Sequence, residues 1–275
     1  MNTEPNLPVA PHLLFLHIQK TAGVTMHNII GRQYPKKNTL SIYHTEKGLA
    51  ELKRLTPERA SQIRLLKGHF AFGAHRFFRE PCEYITMLRD PVERTISHFH
   101  FVIDSVTHNY HDMIVDSGYS LLEVLENGAI PRLDNKMVRM LSGNDSAPYG
   151  ACTETMLDDA MTHLEKNFSV VGRVKNFDEF VLMCSERFHW NGYIFYRKRN
   201  AGRSRPKTEE IDKKTMDALR AHNTLDQKLY DTWSPIIEDR IARQGARFNA
   251  RLASFKKKNQ LLNRVLGWWP DFLTP

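Results

Sequence analysis

The sequence contains little cysteine and no long hydrophobic run. Its three cysteines, Cys82, Cys152 and Cys184, are widely spaced and form no CxxC pair, which argues against a disulfide framework and against a thiolate zinc site. The opening residues MNTEPNLPVAPH lack the basic and apolar regions of a secretory signal, and the run LLFLHI is too short to span a bilayer. We therefore expect a soluble protein of a reducing, cytoplasmic compartment.

Motifs of several enzyme and binding classes are also missing. The phosphate-binding loop GxxxxGK[ST] of nucleotide triphosphatases does not occur. Four neighbouring histidines, at positions 98, 100, 108 and 111, have neither HExxH spacing nor a cysteine partner, so we expect no metal site. No nucleic-acid-binding motif is present, and we expect no nucleic-acid partner.

Acidic residues are absent from one long segment near the C-terminus. Residues 240–264 contain eight Lys and Arg and no Asp or Glu, although the net charge of the whole chain is only +8, so the remainder is neutral. We interpret residues 234–275 as a basic C-terminal helical extension that begins at Ser234-Pro235. Its apolar stripe comprises Ile237, Ile241, Phe248, Leu252 and Phe255. The stripe is expected to pack on the body or on a second copy of the chain, as in a homodimer; contact with acidic glycans or with a membrane interface is the alternative.

The chain has the composition of one globular domain with a substantial core. It has 275 residues, of which 41% are hydrophobic and 25% charged. Short apolar runs alternate with stretches of helical period, as expected for a mostly parallel sheet with helices on both faces. The predicted strands are Leu13–Ile18, Thr39–Tyr43, Arg64–Lys67, Glu83–Leu88, Phe168–Val174 and Tyr193–Tyr196. We predict a single α/β, P-loop-like domain over 1–275, with a flexible N-terminus at 1–11.

The loop after the first predicted strand has the composition of an anion-binding turn. It reads QKTAGVT, from Gln19 to Thr25, and a helical pattern follows it. Small residues let main-chain N–H groups approach an anion, the helix start adds its positive dipole end, and Lys20 adds a charge. An ordinary strand-to-helix turn with capping threonines is the alternative.

A second anion-binding element is expected after the strand Glu83–Leu88. Arg89 ends that strand, and Asp90-Pro91 then begins a helix with an N-cap and a proline at the first helical position. Capping explains Asp90 and Glu93, and Arg94 is expected to pair with Asp90. Ser97 lies on the same helix face, so a guanidinium and a hydroxyl would converge on a phosphate monoester.

These two segments together resemble the PAPS-dependent sulfotransferases, in particular the carbohydrate group of heparan sulfate 2-O- and 6-O-sulfotransferases and their bacterial relatives. HIQKTAGVT resembles the family's 5′-phosphosulfate loop, and LRDPVERTISHFHF resembles its 3′-phosphate segment. The chain departs from the loop pattern where Gln19 replaces a proline, Ala22 a glycine, and Val24 stands where glycine is frequent. The resemblance implies that the 5′-phosphosulfate is bound by Lys20, Thr21, Ala22, Gly23, Val24 and Thr25, and the 3′-phosphate by Arg89 and Ser97.

The same resemblance implies the remaining site residues. The stretch LKGHFAFG resembles the one in which relatives carry a catalytic histidine, which makes His69 the expected base. The loop Arg197–Lys207, with six cations and no acid, resembles the segment that closes over the nucleotide, and a solvated basic loop is the alternative. Asn135 and Arg139 are interpreted as cleft residues near the acceptor, or as ordinary polar residues on a helix surface.

The expected function is therefore transfer of a sulfuryl group from PAPS to an acceptor hydroxyl, most readily that of a carbohydrate. His69 would take the proton, Lys20 would stabilise the leaving phosphate, and PAP would be the product, without a metal. The alternative is a polyanion-binding or other nucleotide-binding protein of P-loop-like fold without this activity.

Overall fold

The computed structural model describes residues 11–43, 45–197 and 210–266. Five strands form one sheet in which every pair is parallel, in the spatial order β2-β3-β1-β4-β5. Their bounds are β1 His12–Leu16, β2 Thr39–Ile42, β3 Leu65–Gly68, β4 Cys82–Leu88 and β5 Phe168–Arg173. The predicted α/β class with a mostly parallel sheet is confirmed.

Helices follow the strands and cover both faces of the sheet. Their bounds are α1 Gly23–Gly31, α2 Thr45–Lys53, α3 Pro57–Gln62, α4 Pro91–Asp104, α5 His111–Ser117, α6 Leu121–Asn127, α7 Lys136–Ser142, α8 Glu154–Asn167, α9 Phe177–Arg187, α10 Lys213–Ala221, α11 Thr224–Ala242 and α12 Gly245–Leu266. Short 3₁₀ turns lie at Lys36–Asn38, Ala74–Phe77, Pro131–Leu133 and Val174–Asn176.

The sheet is buried on both sides, because successive side chains along a strand point into two different apolar cores. In β1, Leu14 and Leu16 join a core with residues of α7, α8 and α11, whereas Leu13 and Phe15 join a core with residues of α1, α9 and α12. A continuous apolar run is the pattern that such a doubly covered strand requires.

The chain order places a crevice at the carboxyl ends of the central strands. From β1 the chain runs past β3 to β2, and after β3 it crosses β1 to reach β4. The connections that leave β1 and β4 thus diverge, and such a switch point is where open α/β sheets bind ligands. Leu16 pairs with Gly68, so His69 emerges at the same edge as the turn that contains Lys20.

Two predicted elements differ from the structure. Residues 193–196, predicted as a strand, form no strand. The carbonyl groups of Tyr193 and Phe195 accept hydrogen bonds from the Arg32 side chain, and the Tyr196 amide donates to Asn259 Oδ1. Side chains, rather than a neighbouring strand, therefore satisfy this stretch.

The predicted helix start at Ser234-Pro235 is also wrong, because Pro235 lies inside α11. Leu225, Leu229, Trp233 and Ile237 are buried along one side of that helix. Their spacing of four residues continues the buried stripe across the proline. The stabilisation from burying this stripe exceeds the cost of the one main-chain hydrogen bond that the proline removes.

The basic extension is a structural part of the body. The inner side of α12 places Phe248 and Phe255 in the second core, with Leu252 partly buried beside them. The expectation that the stripe packs on the body is met. In the described part of the chain, no helix combines the length and apolar character needed to cross a membrane.

Candidate functional site

The turn after β1 has a backbone shaped for anions. Lys20 and Ala22 both have positive φ, 69° and 61°, a conformation that costs a non-glycine residue on the order of 1 kcal/mol. Thr21, between them, does not have positive φ. A backbone that alternates between positive and negative φ directs successive N–H groups to one side of the chain. Helix α1 then starts without a side-chain cap and without an acidic residue in its first turn. Its first N–H groups therefore face the crevice with no intrahelical partner.

Two contacts from within the segment fix the turn. The Thr21 hydroxyl is fully buried and donates to the Ile18 carbonyl at 2.7 Å, so Thr21 offers a ligand its main chain rather than its hydroxyl. Gly23 packs directly on the imidazole of His17, and a Cβ at this position would lie 1.7 Å from His17 Nε2. Only glycine fits there. Val24 is largely exposed and Thr25 half-buried at the rim.

Arg89 links the end of β4 to this turn. Its Nη1 donates to the Lys20 carbonyl at 3.0 Å, while Nε and Nη2 donate to Glu93 Oε2 at 3.3 and 3.1 Å. Asp90 caps α4 through the Glu93 amide, as predicted. The Glu93 carboxylate, however, pairs with Arg89 rather than completing a capping box. The two predicted anion-binding elements are therefore adjacent.

The side chains of Lys20 and Ser97 lie along α4. Lys20 Nζ is 4.2 Å from the centre of the Phe101 ring, a cation–π contact. Ser97 is half-buried one helical turn before Phe101, and its hydroxyl bonds to no residue in the described ranges. Arg94 was expected to pair with Asp90, but it is fully buried and its Nε lies 4.0 Å from Asp226 Oδ2. That ion pair holds α4 to α11.

His69 borders the crevice from the β3 side. Its Nδ1 lies 2.8 Å from the carbonyl oxygen of His17. Only a protonated Nδ1 can donate there, so Nε2 is the nitrogen that can accept a proton. Burial, assisted by the charges of Lys136 and Arg132, lowers the pKa of His69 to about 4. The imidazole is thus neutral at pH 7, as a proton acceptor must be.

A family model described as galactose-3-O-sulfotransferase matches residues 2–267 of the chain. The chain belongs to the galactose-3-O-sulfotransferase family. Its predicted membership of the PAPS-dependent carbohydrate sulfotransferase family is confirmed.

A search of curated proteins gives no match for this member of the galactose-3-O-sulfotransferase family. One solved structure to which it is similar is the mouse sulfotransferase SULT7A1 complexed with PAP. The identity is 12%, the TM-score is 0.36, and the similarity covers 80% of this chain. It covers 66% of the mouse chain, so the chain spans slightly less than two thirds of that relative.

Three charged residues that act electrostatically on His69 are not predicted as site residues from the sequence. Lys136 is 2% exposed and pairs with Asp145, and burial lowers its pKa to about 8. Both groups act electrostatically on His69, as does Arg132 in the turn before α7. The dense polar run R-L-D-N-K at 132–136 was the available signal. Sequence spacing alone does not show that this run is buried, because its partners are distant in sequence.

Asn135 and Arg139 do not face the crevice. Asn135 Oδ1 accepts hydrogen bonds from the amides of Leu225 and Asp226. Arg139 is 1% exposed, and its guanidinium is bound to Asp134 and to the carbonyls of residues 134, 147 and 148. Both interpretations of this pair, as cleft residues and as surface polarity, are therefore wrong. Their interactions join α7 to α11 and to the loop before α8.

The expected nucleotide-closing loop, Arg197–Lys207, lies outside the described residues except for Arg197. Within the described ranges, no group of three or more His, Cys, Asp or Glu is arranged to hold a metal ion.

Proposed function

We propose that the protein transfers the sulfuryl group of PAPS to a hydroxyl group of a saccharide. The observation that carries the proposal is the hydrogen bond from Arg89 Nη1 to the Lys20 carbonyl. It places two elements suited to anions side by side in one crevice, and His69 borders the same crevice. The family to which the chain belongs supports sulfuryl transfer, and its name, galactose-3-O-sulfotransferase, supports galactose as the acceptor sugar.

The residues of the crevice fit a donor with two separate anionic groups. The uncapped start of α1 and the main chain of residues 20–25 would hold the 5′-phosphosulfate. Arg89 and the hydroxyl of Ser97 would hold the 3′-phosphate, since a guanidinium fork matches the geometry of a phosphate monoester. PAPS supplies an activated sulfuryl group whose bond to the 5′-phosphate breaks in the reaction.

The chemical step requires a proton acceptor and a cation at the leaving group. His69 Nε2 would accept the proton of the acceptor hydroxyl as its oxygen bonds to sulfur, with Nδ1 held by the His17 carbonyl. Lys20 would move its ammonium from the Phe101 ring to the oxygen that departs with the 5′-phosphate. The N–H groups at the start of α1 would share that developing charge. Such preorganised donors supply most of the catalysis in comparable group transfers.

The test is incubation with ³⁵S-labelled PAPS and a panel of galactosides, other sugars and simple alcohols. We expect label on a galactoside hydroxyl, and we expect Lys20→Ala and His69→Ala each to lose about a hundredfold or more of the turnover. Circular dichroism would show that both variants remain folded. If no acceptor is labelled and polyanions bind with a steep dependence on salt, the chain is a polyanion-binding protein instead.

A further inference from the structure

The last turns of α12 expose basic and aliphatic side chains together on one side of the helix. Five exposed residues of these turns form what we call the outer face: Lys257, Lys258, Leu261, Arg264 and Val265. Leu261 is separated from each of the others by three or four residues, the spacing of neighbours on one side of a helix. Phe255 and Asn259, on the other side, are buried against the body. The outer face is therefore the side that α12 turns towards solvent.

The three cations of the outer face have no carboxylate partner among the described residues. Elsewhere in α12, Lys256 pairs with Glu179 at 2.7 Å and Arg251 pairs with Glu186, both across the contact with α9. Residues 240–264 contain no acid that could compensate the remaining charges, and the chain outside this segment is neutral. The outer face thus concentrates positive charge that the molecule itself does not balance.

The two aliphatic residues lie among these cations. Leu261 is 62% exposed and Val265 is 58% exposed, so each leaves apolar surface in water, and its removal from water would be favourable. The sequence continues from α12 into Gly267-Trp268-Trp269-Pro270, beyond the described residues, and tryptophan is enriched where bilayers meet water. A partner of the outer face must therefore accept apolar side chains as well as positive charge.

An anionic lipid bilayer meets both requirements. Its headgroups supply negative charge, and the boundary between headgroups and acyl chains takes up aliphatic side chains. A sulfated polysaccharide would satisfy the cations but would leave the aliphatic residues in water. A second copy of the chain would bring two sets of cations together, because a two-fold interface pairs the same surface with itself.

The outer face belongs to the end of α12 that lies near the carboxyl edge of the sheet. The Tyr196 amide donates to Asn259 Oδ1 at 3.1 Å, and the Tyr196 hydroxyl donates to Asp178 Oδ1 at 2.7 Å. Asp178 lies in the first turn of α9, which begins shortly after β5 ends at that edge. The crevice opens at the same edge, so a partner of the outer face would lie on the same side of the molecule as the crevice.

We propose that the outer face of α12 binds the surface of a bilayer that contains acidic lipids. The inner side of the helix stays packed on the body, so the contact is peripheral: the cations approach the headgroups while Leu261 and Val265 enter the interface. Binding of this kind is reversible and weakens as salt screens the charges. It requires neither PAPS nor sulfuryl transfer and does not depend on the proposed function.

The test is flotation of the protein with lipid vesicles. Vesicles of phosphatidylcholine alone are compared with vesicles that also contain phosphatidylglycerol, each at low and at high salt. A basic residue near an acidic bilayer raises the partition coefficient about fivefold. We therefore expect at least about tenfold stronger binding to the acidic vesicles at low salt, and most of this gain should disappear at high salt.

A pair of charge substitutions assigns the binding to the outer face. Lys257→Gln/Lys258→Gln should lower binding to the acidic vesicles about tenfold or more. Lys36→Gln/Lys37→Gln makes the same change in an exposed lysine pair just before β2, at the opposite edge of the sheet. This matched control should bind as the wild-type protein does. Circular dichroism shows that each variant remains folded.

A second pair of substitutions tests the apolar contribution. Leu261→Ser/Val265→Ser should weaken binding to the acidic vesicles several-fold, and the loss should persist at high salt, because burial of apolar surface is not screened. The same variant should bind heparin, a sulfated polysaccharide, no less tightly than the wild-type protein, since its charges are unchanged.

Four outcomes would overturn the inference. The first two are equal binding to neutral and acidic vesicles, and an equal loss in the two lysine variants. The third is binding to heparin without binding to acidic vesicles, which would assign the outer face to a glycan. The fourth is a dimer in sedimentation equilibrium that Leu261→Ser/Val265→Ser dissociates, which would make the outer face an interface between copies of the chain.

Discussion

The guanidinium of Arg89, at the end of β4, donates a hydrogen bond to the main-chain carbonyl of Lys20 at 3.0 Å. One side chain thus braces the turn that leads into α1 and is also the one proposed to bind the 3′-phosphate. Loss of this side chain should affect both features.

Replacing Arg89 should therefore weaken PAP binding by about tenfold or more. Arg89→Lys keeps the charge but loses the fork, and should bind PAP with intermediate affinity. Calorimetry with PAP measures the effect, and Arg187→Ala, which removes an exposed arginine paired with Glu83, is the control. Wild-type affinity in Arg89→Ala would refute the second anion-binding element.

Glu93 competes with a phosphate for Arg89. Its carboxylate accepts two hydrogen bonds from the guanidinium and is half exposed. Glu93→Gln removes the negative charge beside the proposed 3′-phosphate position, so PAP should bind several-fold more tightly, with a larger gain at low salt. Glu126→Gln, at an exposed position paired with Lys214, should change nothing. Weaker binding in Glu93→Gln would mean that Glu93 positions Arg89 rather than competing for it.

Gly23→Ala should disrupt the turn. The added methyl group would overlap the ring of His17, and forced overpacking of this kind typically costs about 1–3 kcal/mol. We expect a lower melting temperature together with loss of PAP affinity, because Gly23 belongs to the main chain proposed to hold the 5′-phosphosulfate. Val24→Ala, at the exposed neighbouring position, is the control. A Gly23→Ala protein with normal stability and normal PAP binding would contradict the packing described here.

The stability of the fold should decrease in mild acid. His17 contacts both His27 and His69, with ring centres 4.8 and 4.5 Å apart, and burial lowers the pKa of His27 to about 3 and that of His69 to about 4. In the unfolded chain these histidines bind protons near pH 6.5. The stability that comes from burying them in the neutral form is therefore complete above pH 6.5, and it is lost as the pH falls towards the lower pKa values of the folded state. At pH 5 the loss is about 2 kcal/mol for each of His27 and His69.

Chemical denaturation between pH 8 and pH 4.5 measures this dependence. His27→Gln should reduce the pH slope of the unfolding free energy by about one proton. His189→Asn, at an exposed position with positive φ that asparagine tolerates, should leave the slope unchanged. An unchanged slope in His27→Gln would show that His27 is not the neutral, buried group described.

Local patterns in the sequence predict most of the sheet and the place of the site. The apolar runs, the Asp90-Pro91 helix start and the turn at Lys20 are encoded within a few residues. The predictions that are wrong concern residues whose interaction partners are mostly distant in the sequence. Asn135 and Arg139 have the spacing of a helix face, but which face is buried is decided by Asp226 and Asp134.

Helix α12 shows that the basic segment cannot be treated as a tail. Phe248 and Phe255 close the second core against residues of α1 and α9. Trimming the chain to remove its positive charge would open that core to water, and the shortened protein would aggregate before any loss of electrostatic attraction could be measured. Charge is better altered by point substitution on the outer side of the helix, where the fold does not depend on it.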